Sequence, residues 1–117
     1  MIPQLVQVDI EVPDLALAVK FYADYLDLHP SPAEIFERVV LTVSDNSPFG
    51  ISLIKGETKT QGINLYFQVD DLEAYLARAR TNGVKTSEKA KMMAPYGLFG
   101  WIEDPFGYRI HLFSPKN

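Results

Sequence analysis

A chain of 117 residues with a formal net charge of −4, 47% hydrophobic and 22% charged residues has the size of one domain, or of two small halves sharing a core. No cluster of Lys and Arg supplies the basic footprint that nucleic-acid binding needs, and no apolar run approaches the roughly 18 residues of a membrane span. There are no cysteines, so neither a disulfide framework nor a thiolate metal site is available. Met1, Ile2, Pro3 and Gln4 lack the basic-then-apolar pattern of a signal peptide, and a cytoplasmic protein is the expectation.

Residues 5–12 alternate, with Leu5, Gln7, Asp9 and Glu11 on one parity and Val6, Val8, Ile10 and Val12 on the other. Period two predicts a strand with one apolar and one largely polar face. Asp14 is placed to cap a helix, and Leu15, Ala18, Val19, Tyr22 and Leu26 recur at helical spacing through about Leu28, before Pro30 and Pro32 end it. Residues 35–43 are β-branched and aromatic enough for a strand, 46–48 form a turn, and 50–55 form another strand. The polar, Gly-flanked stretch 56–62 reads as a linker. After it come a strand over 63–69, a helix capped by Asp70 or Asp71 and running to about Asn82, and Gly83 at its C′ position. A short strand near Val84 and Lys85, a loop through 94–97, a strand over 98–102, a turn at 104–107 and a closing strand over 108–113 complete the chain.

The two halves repeat each other. Val12-Pro13-Asp14-Leu15 aligns with Val69-Asp70-Asp71-Leu72 at an offset of 57 residues, which sets Val8, Ile10 and Val12 on Leu65, Phe67 and Val69, and Gln7 on Asn64. At an offset of 59, Ile51-Ser52-Leu53-Ile54 falls on Ile110-His111-Leu112-Phe113. Each half is therefore β-α-β-β-β. One helix cannot cover both faces of such a sheet, so the halves are expected to join around a common centre, with the helix-free faces curling around a cavity.

The segment Phe99-Gly100-Trp101-Ile102-Glu103-Asp104-Pro105-Phe106-Gly107-Tyr108-Arg109-Ile110-His111-Leu112 resembles the closing hairpin of the vicinal-oxygen-chelate superfamily, which includes glyoxalase I, extradiol dioxygenases and bleomycin-resistance proteins. Val12-Pro13-Asp14-Leu15, continued by Phe21-Tyr22 and Leu26, is similar to its first-helix signature. The likeness covers nearly the whole chain. It implies an α+β fold of paired βαβββ modules forming an open, cup-shaped mixed sheet: a single domain over 1–117, with one module to about 56 and the second from about 63.

The same resemblance implies four metal-ligand positions, on the first and last strands of each module. Here they fall on Gln7, Ser52, Asn64 and His111, the residues that the repeat also pairs. Members that are enzymes fill them mostly with His and Glu. His111 is a good ligand and Gln7 offers a carbonyl oxygen, whereas Asn64 is a weak ligand and Ser52 a poor one. No carboxylate offsets a dication, and His111 stands where the family usually has Glu. His111 reads more readily as a hydrogen-bonding residue of the cavity or its edge than as a ligand, and His29 as a surface residue. Phe99, Trp101 and Glu103 share one strand parity, either lining the cup or making core or dimer contacts.

Two functional readings follow. In the favoured one, the chain is a metal-free module like the bleomycin-resistance branch. It binds a small organic molecule, with Tyr66, Phe99, Trp101 and Phe113 as flat apolar surface and Gln7, Asn64, Arg109 and His111 as polar anchors. In the alternative it is a lyase, isomerase or dioxygenase of the same superfamily, whose divalent Zn, Ni, Mn or Fe polarises adjacent substrate oxygens, with Glu103 or Asp9 as the base. Seven Phe, six Tyr and one Trp in so short a chain further motivate a homodimer.

Overall fold

The apolar alternation and the two Asp caps build the same arrangement twice. The computed structural model describes residue 3 and residues 7–30, 38–42 and 50–115, with the backbone alone of Gln7, Arg38 and Thr42. The expected turn at 46–48, the ends of the strand expected over 35–43 and the start of the strand expected over 5–12 lie outside the described residues. The chain divides into two compact units, Met1–Lys59 and Thr60–Asn117.

In the first unit, β1 (Gln7–Val12), helix α1 (Leu15–Leu26), β2 (His29–Pro30), β3 (Arg38–Thr42) and β4 (Gly50–Lys55) follow in order. They form a mixed four-stranded sheet in the order β1-β4-β3-β2. β1 runs parallel to β4 with Val8 opposite Ile51 and Asp9 opposite Ser52, while β3 is antiparallel to β4. Asp14 caps α1 by accepting a hydrogen bond from the Leu17 amide at 3.1 Å, as its position predicts. The helix ends two residues before Leu28, with Asp27 in the left-handed region at φ 57° and the Leu28 amide turned back to the Tyr22 carbonyl at 3.2 Å. His29 and Pro30 then form an exposed two-residue edge strand against Thr42 and Leu41, a strand that two prolines in the sequence had concealed. Ala18, Phe21, Tyr22 and Leu26 of α1 are buried, as are Ile10, Val12, Leu41, Ile51 and Leu53 of the sheet. Each large apolar side chain removed from water contributes roughly 1.5–3 kcal/mol.

The second unit repeats this with β5 (Leu65–Gln68), α2 (Leu72–Thr81), β6 (Lys91–Met93), β7 (Gly97–Glu103) and β8 (Arg109–Pro115) in the sheet order β5-β8-β7-β6. Leu65 lies opposite Ile110 in parallel strands, the counterpart of Val8 opposite Ile51, so the offsets of 57 and 59 reappear as one strand register. The cap is Asp71, whose carboxylate accepts from the Ala74 amide at 3.1 Å, and Gly83 follows the helix at φ 77°. The strand expected near Val84 and Lys85 reduces to an isolated bridge between Thr86 and Ile102. β6 forms instead at Lys91–Met93, opposite Gly97, Leu98 and Phe99. The Asp104–Gly107 segment is the turn its Pro and Gly predict: Asp104 is buried and accepts from the amides of Phe106 and Tyr108, each at 2.9 Å. Gly107 has φ 96°, a conformation that a side chain would strain. The fold is α+β, two mixed four-stranded sheets with one helix each.

Candidate functional site

Strand alternation sorts the second unit's side chains onto two faces, and Gly100 shows which one the helix takes. A Cβ at Gly100 would lie 3.2 Å from Leu76 Cδ1 and 3.5 Å from Leu72 Cδ1, both on α2. Leu98, Gly100 and Ile102 therefore face the helix, and Phe99, Trp101 and Glu103 stand on the opposite, helix-free face. On β8, fully buried Ile110 and Leu112 take the helix side and leave Arg109, His111 and Phe113 on the other. Tyr66 and Gln68 of β5 join them, since Tyr66 is in register with His111 and Gln68 with Phe113.

Register also sets who meets whom across β7 and β8: Glu103 opposite Arg109, Trp101 opposite His111, and Phe99 opposite Phe113. Phe99 and Phe113 stack at 4.9 Å between ring centroids with 9° between planes, and Tyr66 stacks on His111 at 4.6 Å and 16°. The Arg109 guanidinium carbon sits 4.0 Å over the centre of the Trp101 ring, and Arg109 Nε lies 3.6 Å from Glu103 Oε1. Such a cation–π contact contributes about 0.5–1 kcal/mol at an exposed site, and a solvent-exposed ion pair rather less than about 1 kcal/mol. Partial burial, and secondly the positive charge of Arg109, hold the His111 imidazole below its ordinary pKa of 6.5. It is therefore neutral at neutral pH, with one ring nitrogen a donor and the other an acceptor. Neither nitrogen has a hydrogen-bond partner among the described residues.

Tyr66, Phe99, Trp101, Glu103, Arg109, His111 and Phe113 thus share one face. Asn64 is exposed and just precedes β5, which begins two residues later than the strand expected over 63–69. Gln7 opens β1 opposite Gly50, and the roles expected of its side chain lie outside the described atoms. Asp9 is exposed in the first unit, opposite Ser52. Ser52 is fully buried, and its hydroxyl has no hydrogen-bond partner among the described residues. Gln68, Lys91 and Met93 share the helix-free face and were not among the expected site residues. Gln68 shares the parity of Tyr66, a signal that was there to read; Lys91, opposite Phe99, depends on β6, which three residues of sequence do not announce.

The four positions expected to hold a metal comprise a hydroxyl with no partner among the described residues, two amides and one neutral imidazole. No anionic donor offsets a dication, where a catalytic metal usually keeps three protein ligands. Among the described residues no three His, Asp or Glu side chains lie together as a metal site would need. The donor set does not fit a divalent cation.

The family model described as Glyoxalase/Bleomycin resistance protein/Dioxygenase superfamily matches residues 4–112. No curated protein matches the chain. Among solved structures, a protein from the mobile metagenome of V. Pseudocholerae is 21% identical, with TM-score 0.78 and coverage of 100% of this chain and 98% of that one. TnmS3, an antibiotic binding protein from Streptomyces sp. CB03234, is 20% identical, with TM-score 0.78 and 98% of each chain covered. The fosfomycin resistance protein FosX from Listeria monocytogenes, solved with Mn(II) and sulfate, is 15% identical, with TM-score 0.80 and coverage of 99% and 93%. At these identities the structural likeness speaks for the fold alone. The family match, spanning almost all of the chain and both βαβββ units, gives the conclusion: this protein belongs to the glyoxalase/bleomycin resistance protein/dioxygenase superfamily.

Proposed function

We propose that the chain binds a small organic molecule on the helix-free face of its second unit, without a divalent metal. The observation that carries this reading is the pairing on that face of two parallel ring stacks, Phe99–Phe113 and Tyr66–His111, with Arg109 laid over Trp101. Flat apolar walls with a few placed polar groups are what small-molecule sites use, and rings bury large areas with little loss of side-chain freedom. The antibiotic-binding role named for TnmS3, on the same fold, is consistent with this reading. Glu103, the candidate base, is engaged with Arg109.

The test is a calorimetric titration of chelator-stripped, tag-free protein with Mn²⁺, Fe²⁺, Ni²⁺ and Zn²⁺, followed by a screen of small organic molecules, both repeated on His111→Ala. The expected result is no stoichiometric micromolar cation binding, and organic ligands whose affinity falls in the variant while its folding is retained. Micromolar binding of one cation that vanishes in His111→Ala would overturn the metal-free reading.

A further inference from the structure

Resting on the binding reading above, we infer that the molecule this face takes is a planar aromatic acid, with its carboxylate on Arg109 and its rings lying along β8 over His111 towards Phe113. Arg109 is held by Glu103 and Trp101. Its Nε is 3.6 Å from Glu103 Oε1, just beyond hydrogen-bond reach, so Glu103 orients the guanidinium without closing on its fork. The Arg109 side chain is 51% exposed although its guanidinium carbon sits 4.0 Å over the centre of the Trp101 ring. Beyond Glu103 and Trp101 it has no partner among the described residues. A planar fork fixed against an indole ring is ready for a bidentate carboxylate, the strongest arrangement that Arg makes, and little further ordering entropy is lost when one arrives.

The rest of β8 describes the rest of the ligand. Alternate residues of a strand stand about 6.6 Å apart on one face, so Arg109, His111 and Phe113 cover about 13 Å. In that order they offer a cation, a flat polar ring and a flat apolar ring. Tyr66 stacks face to face on His111 and Phe99 on Phe113, so the surface is two rings wide at both positions. A two-ring body with an acid at one end matches both the sequence of chemistries and the span. His111, neutral and with no hydrogen-bond partner among the described residues, contributes a hydrogen bond without a second positive charge. Glu103 acts as a filter: it repels an anion approaching from its own side and leaves the outer edge of the fork to a ligand's carboxylate. A small inorganic anion would meet Arg109 alone, and a cationic arene would face the guanidinium.

Three probes of one shape decide the matter by isothermal titration calorimetry: 2-naphthoate, its neutral amide, and the cationic 2-naphthylmethylammonium. The acid is expected to bind about tenfold or more tightly than the amide, the magnitude of one charge-assisted hydrogen bond. The gap should close in Arg109→Gln. Equal affinity of acid and amide for the unaltered protein, or tighter binding of the amine, overturns the acid inference and leaves the binding face standing. Absence of heat with all three at millimolar concentration overturns both. Because the deciding comparison uses the unaltered protein, it does not depend on the variant folding.

Discussion

Asp9 and Ser52 hold in the first unit the places that Tyr66 and His111 hold in the second, each pair in register on parallel strands. One row along, Glu11 lies opposite Ile54 where the second unit has Gln68 opposite Phe113. The third member of the first row is Val40 in one unit and Trp101 in the other. On the other parity the units agree: Ile10 and Leu53 correspond to Phe67 and Leu112, all apolar. The shared parity is the one a helix must cover, and a one-residue slip in register would turn it to solvent. The parity without a helix carries no such demand and has diverged, towards carboxylates, Ser and aliphatics in one unit and stacked rings with a cation in the other. Fold sits in the repeated face, and the candidate site lies on the divergent one.

The largest expected effects lie in the core, on the face where the two units agree. Leu53→Ala and Leu112→Ala, equivalent positions with no exposed surface, are each expected to cost about 3 kcal/mol in denaturant unfolding. A cost confined to one of them would show that the two helix-covered faces are not equivalent. A smaller effect of opposite sign is expected at Ser52→Ala. Its hydroxyl is buried without a partner among the described residues, so removing it should stabilise the protein by about 1 kcal/mol, read as a higher urea midpoint at unchanged slope. A loss of stability would mean that the hydroxyl is satisfied in solution. The smallest effect sharpens the comparison at the equivalent position. His111 titrates near 6.5 when unfolded and lower when folded, so the unfolded chain takes up the proton first. Its contribution is fully present above 6.5 and is lost as the pH falls towards the lowered value. Unfolding at pH 7.5 and 5.5 should therefore show a steeper loss for the parent than for His111→Gln, and parallel losses would remove the effect.

Much of this was readable from the chain. The offsets of 57 and 59 became strand registers, Asp14 and Asp71 became caps, and Asp104 with Gly107 became the tight hairpin turn. These signals are local, and each rests on backbone geometry that only a few residue types serve. The edge strands were not readable. β2 contains a proline and has two residues, and β6 is three exposed residues with no inside or outside to alternate. Both exist because a neighbouring strand offers pairing, which no local pattern records. The site was legible as a set of residues sharing parity, but the choice of face for Phe99 and Trp101 was open in the sequence. It is made by Leu72 and Leu76 pressing on Gly100, a contact between residues more than twenty positions apart.

The bond pattern around Ser87 has an implication for solubility. β6 ends its pairing at Phe99, which would leave the outer side of β7 bare beyond that point. Instead the Ser87 amide donates to the Trp101 carbonyl at 3.0 Å, Ser87 Oγ accepts from the Trp101 amide at 3.1 Å, and the Glu103 amide donates to the Lys85 carbonyl at 2.9 Å. Arg80 pins this cover from α2, donating to the carbonyls of Ser87 and Glu88 and, at 3.0 Å, to Thr86 Oγ1. A strand bearing Phe99 and Trp101 is the kind of sticky template on which foreign chains add. An irregular segment fastened by one arginine therefore closes that template to fibril growth, and it does so without adding a regular strand that would itself need protection.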